Sequence, residues 1–188
     1  TTPVSIYLRL RDVFPNSLLL ESSEYQNRDN NISYICCQPI AGIVLNQEGL
    51  HISYPNKPKE SKPIKGLNLK QEVSAFRDSF HSEAIPEVNL ISNGLFGYFW
   101  FVPVEHNEDI QLTTPKDPKP DIQPIKNHVY KYVIPIDHFR NKLYLFENLW
   151  EIETSDLVRL EYIIKNRNFQ EYAFKNKENE GPKMTDKE

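Results

Sequence analysis

Ile32-Ser33-Tyr34-Ile35-Cys36-Cys37-Gln38, followed after Pro39 by Ala41 to Leu45, Asn46-Gln47-Glu48-Gly49 and Leu50 to Ser53, is the stretch on which the fold turns. β-Branched, aromatic and sulfur-bearing side chains between turn residues suit a pleated, half-buried surface, so 32–38 is expected as a strand. Residues 41–45 and 50–53 flank a four-residue connection ending in Gly49 and are expected as a hairpin. Upstream, Gln26 to Asn31 is polar and rich in Asn, which predicts a loop. Ile6 to Leu10 and Ser17 to Ser22 are short apolar segments separated by a Pro15-Asn16 turn, and the first reads equally as strand or helix.

Working outward, Tyr54 to Gly66 carries four Lys and three Pro without apolar periodicity and is expected as an exposed loop. Leu69, Val73, Phe76 and Phe80 then recur at helical spacing, with Asn68 placed to cap and Glu72 suited to the positive end of the helix dipole. Gly94 to Phe101 reads as an aromatic strand whose two glycines permit close approach of a backbone or ligand, ended by Pro103. The Pro-rich segment Thr113 to Pro124 suits extended polyproline-like chain. Tyr130 to Ile136 and Leu143 to Leu149 have strand composition around 137–142 and form an expected second hairpin. A last helix is expected from Thr154 or Ser155, with Leu157, Leu160, Ile163 and Ile164 as its apolar stripe. The class is therefore α+β, with antiparallel β-sheet layers and a few packed helices. One domain over 1–174 and a charged linker over 175–188 are expected.

Composition narrows the function classes. With 39% hydrophobic and 12% aromatic residues the 188-residue chain suits a folded globular protein. Its formal charge of -4, with bases interspersed among acids, offers no nucleic-acid footprint. No apolar run approaches the ~20 residues needed to cross a bilayer, and the expected location is soluble and cytoplasmic. Cys36 and Cys37 are neighbours on an expected strand, point to opposite faces, and are read as reduced thiols. His51, His81, His106, His128 and His138 never fall at a helical metal-binding spacing, so no metal site is expected. No phosphate-cradling glycine loop or serine nucleophile elbow occurs, and no catalytic residue is assigned.

Ser17-Leu18-Leu19-Leu20-Glu21-Ser22 ends an apolar segment in a carboxylate beside a hydroxyl, and a carboxylate can accept the ammonium group of a free amino acid. The plain alternative is a surface Glu and a turn Ser. Together with Pro3-Val4-Ser5-Ile6-Tyr7 and Leu10-Arg11, Ser33-Tyr34-Ile35-Cys36 with Pro39, Asn93-Gly94-Leu95-Phe96-Gly97-Tyr98-Phe99, and Ile136-Asp137-His138-Phe139-Arg140-Asn141, this run resembles the chorismate-using enzymes. Within them it is most similar to the amino-terminal domain of anthranilate synthase component I, the large subunit that begins tryptophan biosynthesis.

That resemblance implies an allosteric L-tryptophan pocket at Glu21 and Ser22, with Leu20, Gly94, Gly97 and Tyr98 supporting it. Met184 to Glu188 looks like the approach to a catalytic domain absent from this chain, so a fragment is expected, inactive alone. In the family that domain converts chorismate to anthranilate with Mg²⁺, a lyase reaction, using ammonia from a glutamine amidotransferase subunit; no cofactor is expected in the present portion. Two departures bear on feedback: Trp100-Phe101-Val102-Pro103 stands where many relatives carry Ser-Tyr-Asp, and Asn30-Asn31-Ile32-Ser33 where Gly-Arg-Tyr-Ser is common. The other readings are aminodeoxychorismate synthase component I of folate synthesis, and a freestanding amino-acid-binding or scaffold domain.

Overall fold

A computed structural model describes residues 2–22, 31–82, 90–99, 124–151 and 153–166. The Pro-rich stretch over 113–123, the family departure at 100–103, His106 and the expected linker at 175–188 lie outside these residues. Among the described residues, eight antiparallel strands form one sheet and three helices pack on it, which is the expected α+β class.

Local chemistry settles the first element as a helix. In α1 (Pro3–Arg11) the Thr2 hydroxyl accepts from the Ser5 N–H while the Ser5 hydroxyl accepts from the Thr2 N–H, a reciprocal capping box, and Pro3 supplies helical φ at the first turn. Arg9 and Arg11 face the negative dipole end. The chain then turns through Asn16, whose φ is 59°, into β1 (Leu18–Leu20) at a sheet edge.

The expected strand at 32–38 and the first arm of the hairpin are one continuous strand, β2 (Ile32–Leu45). Pro39 lacks an N–H and ought to interrupt a ladder, but Gln38 adopts φ 57° and the register against β6 (Ile125–Asp137) shifts between Pro39 and Ala41. One extra residue absorbs the proline, and the strand resumes beyond the bulge. The hairpin to β3 (Leu50–Ser53) has the expected four-residue connection, held by the Asn46 side-chain oxygen accepting from the Glu48 and Gly49 N–H groups. The 54–66 expectation needs correcting: β4 (Glu60–Lys62) pairs with β3. Its polar residues carry no apolar alternation, because an edge strand is defined by its partner's free hydrogen-bonding groups.

Helix α2 (Leu69–Asp78) matches its sequence pattern, with Asn68 accepting from the Gln71 N–H. Its Leu69 and Phe76 pack on Ile43, Leu45, Leu50 and Ile125. The aromatic strand β5 (Phe96–Phe99) pairs with the first part of β6. Beyond the expected hairpin turn, the strand anticipated over 143–149 is instead two short pieces, β7 (Lys142–Leu143) and β8 (Phe146–Glu147), both on β6. Helix α3 (Leu157–Lys165) begins two or three residues after its expected start, with Asp156 before its first turn rather than in it, and joins α1 over Ile35, Cys37, Tyr132 and Ile134.

Cys36 belongs to a different apolar cluster from Cys37, and both thiols are free and buried. Burial pushes Cys37 up to about 12; Cys36 is raised too, by burial and then by its neighbour. Both are inert core side chains, since the thiolate is the reactive species.

Candidate functional site

Leu20 pairs with Tyr34 at the last rung of β1, and the chain leaves the sheet at Glu21 and Ser22. The departure is held by a polar chain. The Ser22 main-chain N–H donates to Ser33 Oγ at 3.3 Å, and Ser33 Oγ lies 2.8 Å from His138 Nε2. Ser33 is fully buried, whereas His138 is exposed and its main-chain N–H donates to the Asn31 carbonyl. A serine oxygen that accepts from Ser22 retains one proton, which it donates to an unprotonated Nε2; the other imidazole tautomer reverses that bond. In either case the end of β1, the start of β2 and the end of β6 are tied together.

Asp137 anchors the same end of the sheet. Its buried carboxylate accepts from the Arg140 N–H at 2.8 Å and from the Arg140 guanidinium at 2.9 Å. Burial alone would raise its pKa, but these bonds outweigh desolvation and hold it below the ordinary carboxylate value. A depressed carboxyl contributes stability above the unfolded pKa of about 3.9, and that contribution is lost as pH falls through the lower folded value. Asp137→Asn is therefore expected to cost about 1.5 kcal/mol near neutral pH, moderated by the half-exposed guanidinium. The difference between the urea midpoints of the two chains should begin to shrink as pH falls below the unfolded carboxyl value of about 3.9 and go on shrinking with further acidification; a difference that does not change with acidification contradicts the role assigned to the charge.

The expected ligand residues divide between places. Glu21 is exposed, and Leu20 lies beside it at the sheet edge. Tyr34, paired with Leu20, has its ring 6.0 Å from that of Phe96 of β5, although β5 itself lies on the far side of β6 from the β1 edge. Gly97 and Tyr98 sit farther along β5, opposite Asn127 and Lys126, and Gly94 lines a cavity beside α2. Sequence reasoning assigned no role to Ser33, His138 or Asp137. The signal was nonetheless present, since all three lie inside the quoted Ser33–Cys36 and Ile136–Asn141 stretches.

Among the described residues no group of three or more His, Cys, Asp or Glu gathers as a metal site. No described helix is long and apolar enough to cross a membrane.

No protein-family model and no curated protein matches the chain. Among solved structures, anthranilate synthase component I from Streptococcus pneumoniae TIGR4 is similar over 87% of this chain and 33% of that one, at 19% identity and a TM-score of 0.47. The chain thus spans about a third of that protein's length, and the likeness transfers neither residue roles nor activity.

Proposed function

We propose that this chain is the regulatory amino-terminal portion of an anthranilate synthase component I, with Glu21 and Ser22 holding the polar end of L-tryptophan. One observation carries the reading: three of the stretches that resemble the family, those around Glu21, Ser33 and His138, though far apart in the chain, meet at one end of the sheet, while the Asn93 to Phe99 run lies toward the other end. Ser22, Ser33 and His138 are joined by hydrogen bonds spanning 11 and 105 residues, and Tyr7 donates to the Ser17 carbonyl at the start of the same run. An exposed carboxylate on a strand end whose following residue is held by part-buried bonds is an accessible acceptor for an ammonium group.

In this proposal the chemistry belongs to a catalytic domain outside the chain. That domain would use chorismate, Mg²⁺ and ammonia from an amidotransferase partner. Tryptophan at Glu21 would favour one arrangement of the two domains, and inhibition follows from its differential affinity for the two arrangements.

The decisive experiment joins this chain to its catalytic domain and measures anthranilate formation against tryptophan concentration. Glu21→Ala should raise the half-inhibitory concentration by about 30-fold, the loss expected for one charge-assisted partner, with uninhibited turnover unchanged. Inhibition identical to the parent enzyme rejects the assignment. Calorimetric titration should also show weaker tryptophan binding by the 188-residue chain than by the joined protein, since one pocket wall is then missing.

A further inference from the structure

A second site is suggested by the cavity between the end of α2, residues 92–95 and residues 145–150. Its volume is about 400 Å³, and an adjoining space of about 330 Å³ shares Phe80, Ser82, Asn93 and Val129 with it. That size falls in the range of small-molecule pockets. The frame is fixed: Asn148 Nδ2 donates to the Ser92 and Tyr130 carbonyls at 3.2 and 2.9 Å, tying two walls to the sheet. The Trp150 ring stands edge-on to Phe80, with centroids 6.1 Å apart.

Two lining residues carry a buried polar atom without a partner: Asn93 Oδ1, an acceptor, and Trp150 Nε1, a donor. Folded proteins rarely leave such groups unpaired, because each forfeits the hydrogen bond it had with water. Among the described lining residues the one carboxylate, Glu147, is already engaged by the Ser155 hydroxyl and the Asp156 N–H. Arg77, at the far side of the adjoining space, is paired with Asp78. Among the described lining residues the acid and the arginine are therefore paired, the His81 imidazole is the remaining titratable group, and the aromatic walls favour a flat ring.

We propose that this cavity binds a small, uncharged, planar molecule of the aromatic-amide or nitrogen-heterocycle class, donating to Asn93 Oδ1 and accepting from the Trp150 indole N–H. Neither atom is open to solvent, so binding requires both side chains to turn toward the cavity. That movement is directly readable at the indole N–H.

The test uses the ¹⁵N-labelled chain, with its two indole cross-peaks assigned through Trp100→Phe. Benzamide and nicotinamide should shift the Trp150 cross-peak saturably with a Kd of about 1 mM, the range expected of molecules this small. Benzene, which fills space without hydrogen bonds, should bind about tenfold more weakly. Asn93→Leu should weaken benzamide by about tenfold while keeping or raising the unfolding midpoint, because it removes an unpaired buried acceptor. Should that variant fail to fold, Trp150→Phe read by saturation transfer from benzamide must show the same weakening. An unmoved cross-peak up to about 10 mM of either amide overturns the site. So does equal binding of benzene, or undiminished binding by the variants.

Discussion

In a Gly97→Ala chain, stability measured by urea unfolding is expected to fall by about 3 kcal/mol, a large share of the 5–15 kcal/mol typical of a domain. Gly97 has φ +157°, at the margin of what a side chain tolerates, and a Cβ there would run into the Lys126 carbonyl oxygen. It would also stand 2.8 Å from Asn127 Cα and 2.9 Å from Asn127 Oδ1. The obstruction is mostly backbone of the neighbouring strand, so relief requires β5 and β6 to separate rather than a side chain to rotate. Backbone strain and overpacking each cost about 1–3 kcal/mol in such places. Gly94→Ala is the internal control: its Cβ would meet nothing nearer than 3.7 Å, an ordinary contact, and little change is expected. Equal effects of the two substitutions would sink this account of β5.

The other large effect belongs to Phe76. Its ring is fully buried under α2 and lies 5.3 Å from that of Tyr54 and 5.1 Å from that of Phe80. Phe76→Ala removes this ring from the centre of the cluster joining α2 to the sheet, and it should cost about 4 kcal/mol in transfer and residual cavity. Phe76→Leu keeps most of the volume and should cost about 1.5 kcal/mol. Because Phe80 also walls the cavity beside Trp150, the alanine variant should broaden or shift the Trp150 indole resonance even where the chain stays folded. A cost below about 1 kcal/mol for the alanine variant is incompatible with the packing described here.

Elements whose logic is local were legible in the chain. Leu69, Val73, Phe76 and Phe80 recur at helical spacing beside a capping Asn68, and α2 forms there. The Asn46 to Gly49 connection reads as a hairpin and is one. Helix α1 was undecided on apolar pattern alone; the Thr2 and Ser5 capping box and Pro3 carry the decision, which lies in polar residues outside that pattern. Strand β4 could not be read, because Glu60, Ser61 and Lys62 have no strand-like character until β3 offers them a ladder. The two glycines of the aromatic run looked alike in sequence, yet Gly97 lies against a strand and Gly94 beside a cavity.

The candidate site divides along the same line. An acid and a hydroxyl after three leucines, and a His beside an Asp after a β-rich run, are visible as residue types in the chain. Their meeting is a property of the long β2–β6 ladder, whose register sets Ser33 opposite Ile136 and so carries the following His138 to Ser33, while β1 delivers Ser22 from the other edge. Periodicity and capping act over a few residues and are written in each segment. Register and the bulge at Pro39 sum over a whole ladder and the packing on both its faces, so the convergence of Ser22, Ser33 and His138 exists only once the sheet has formed.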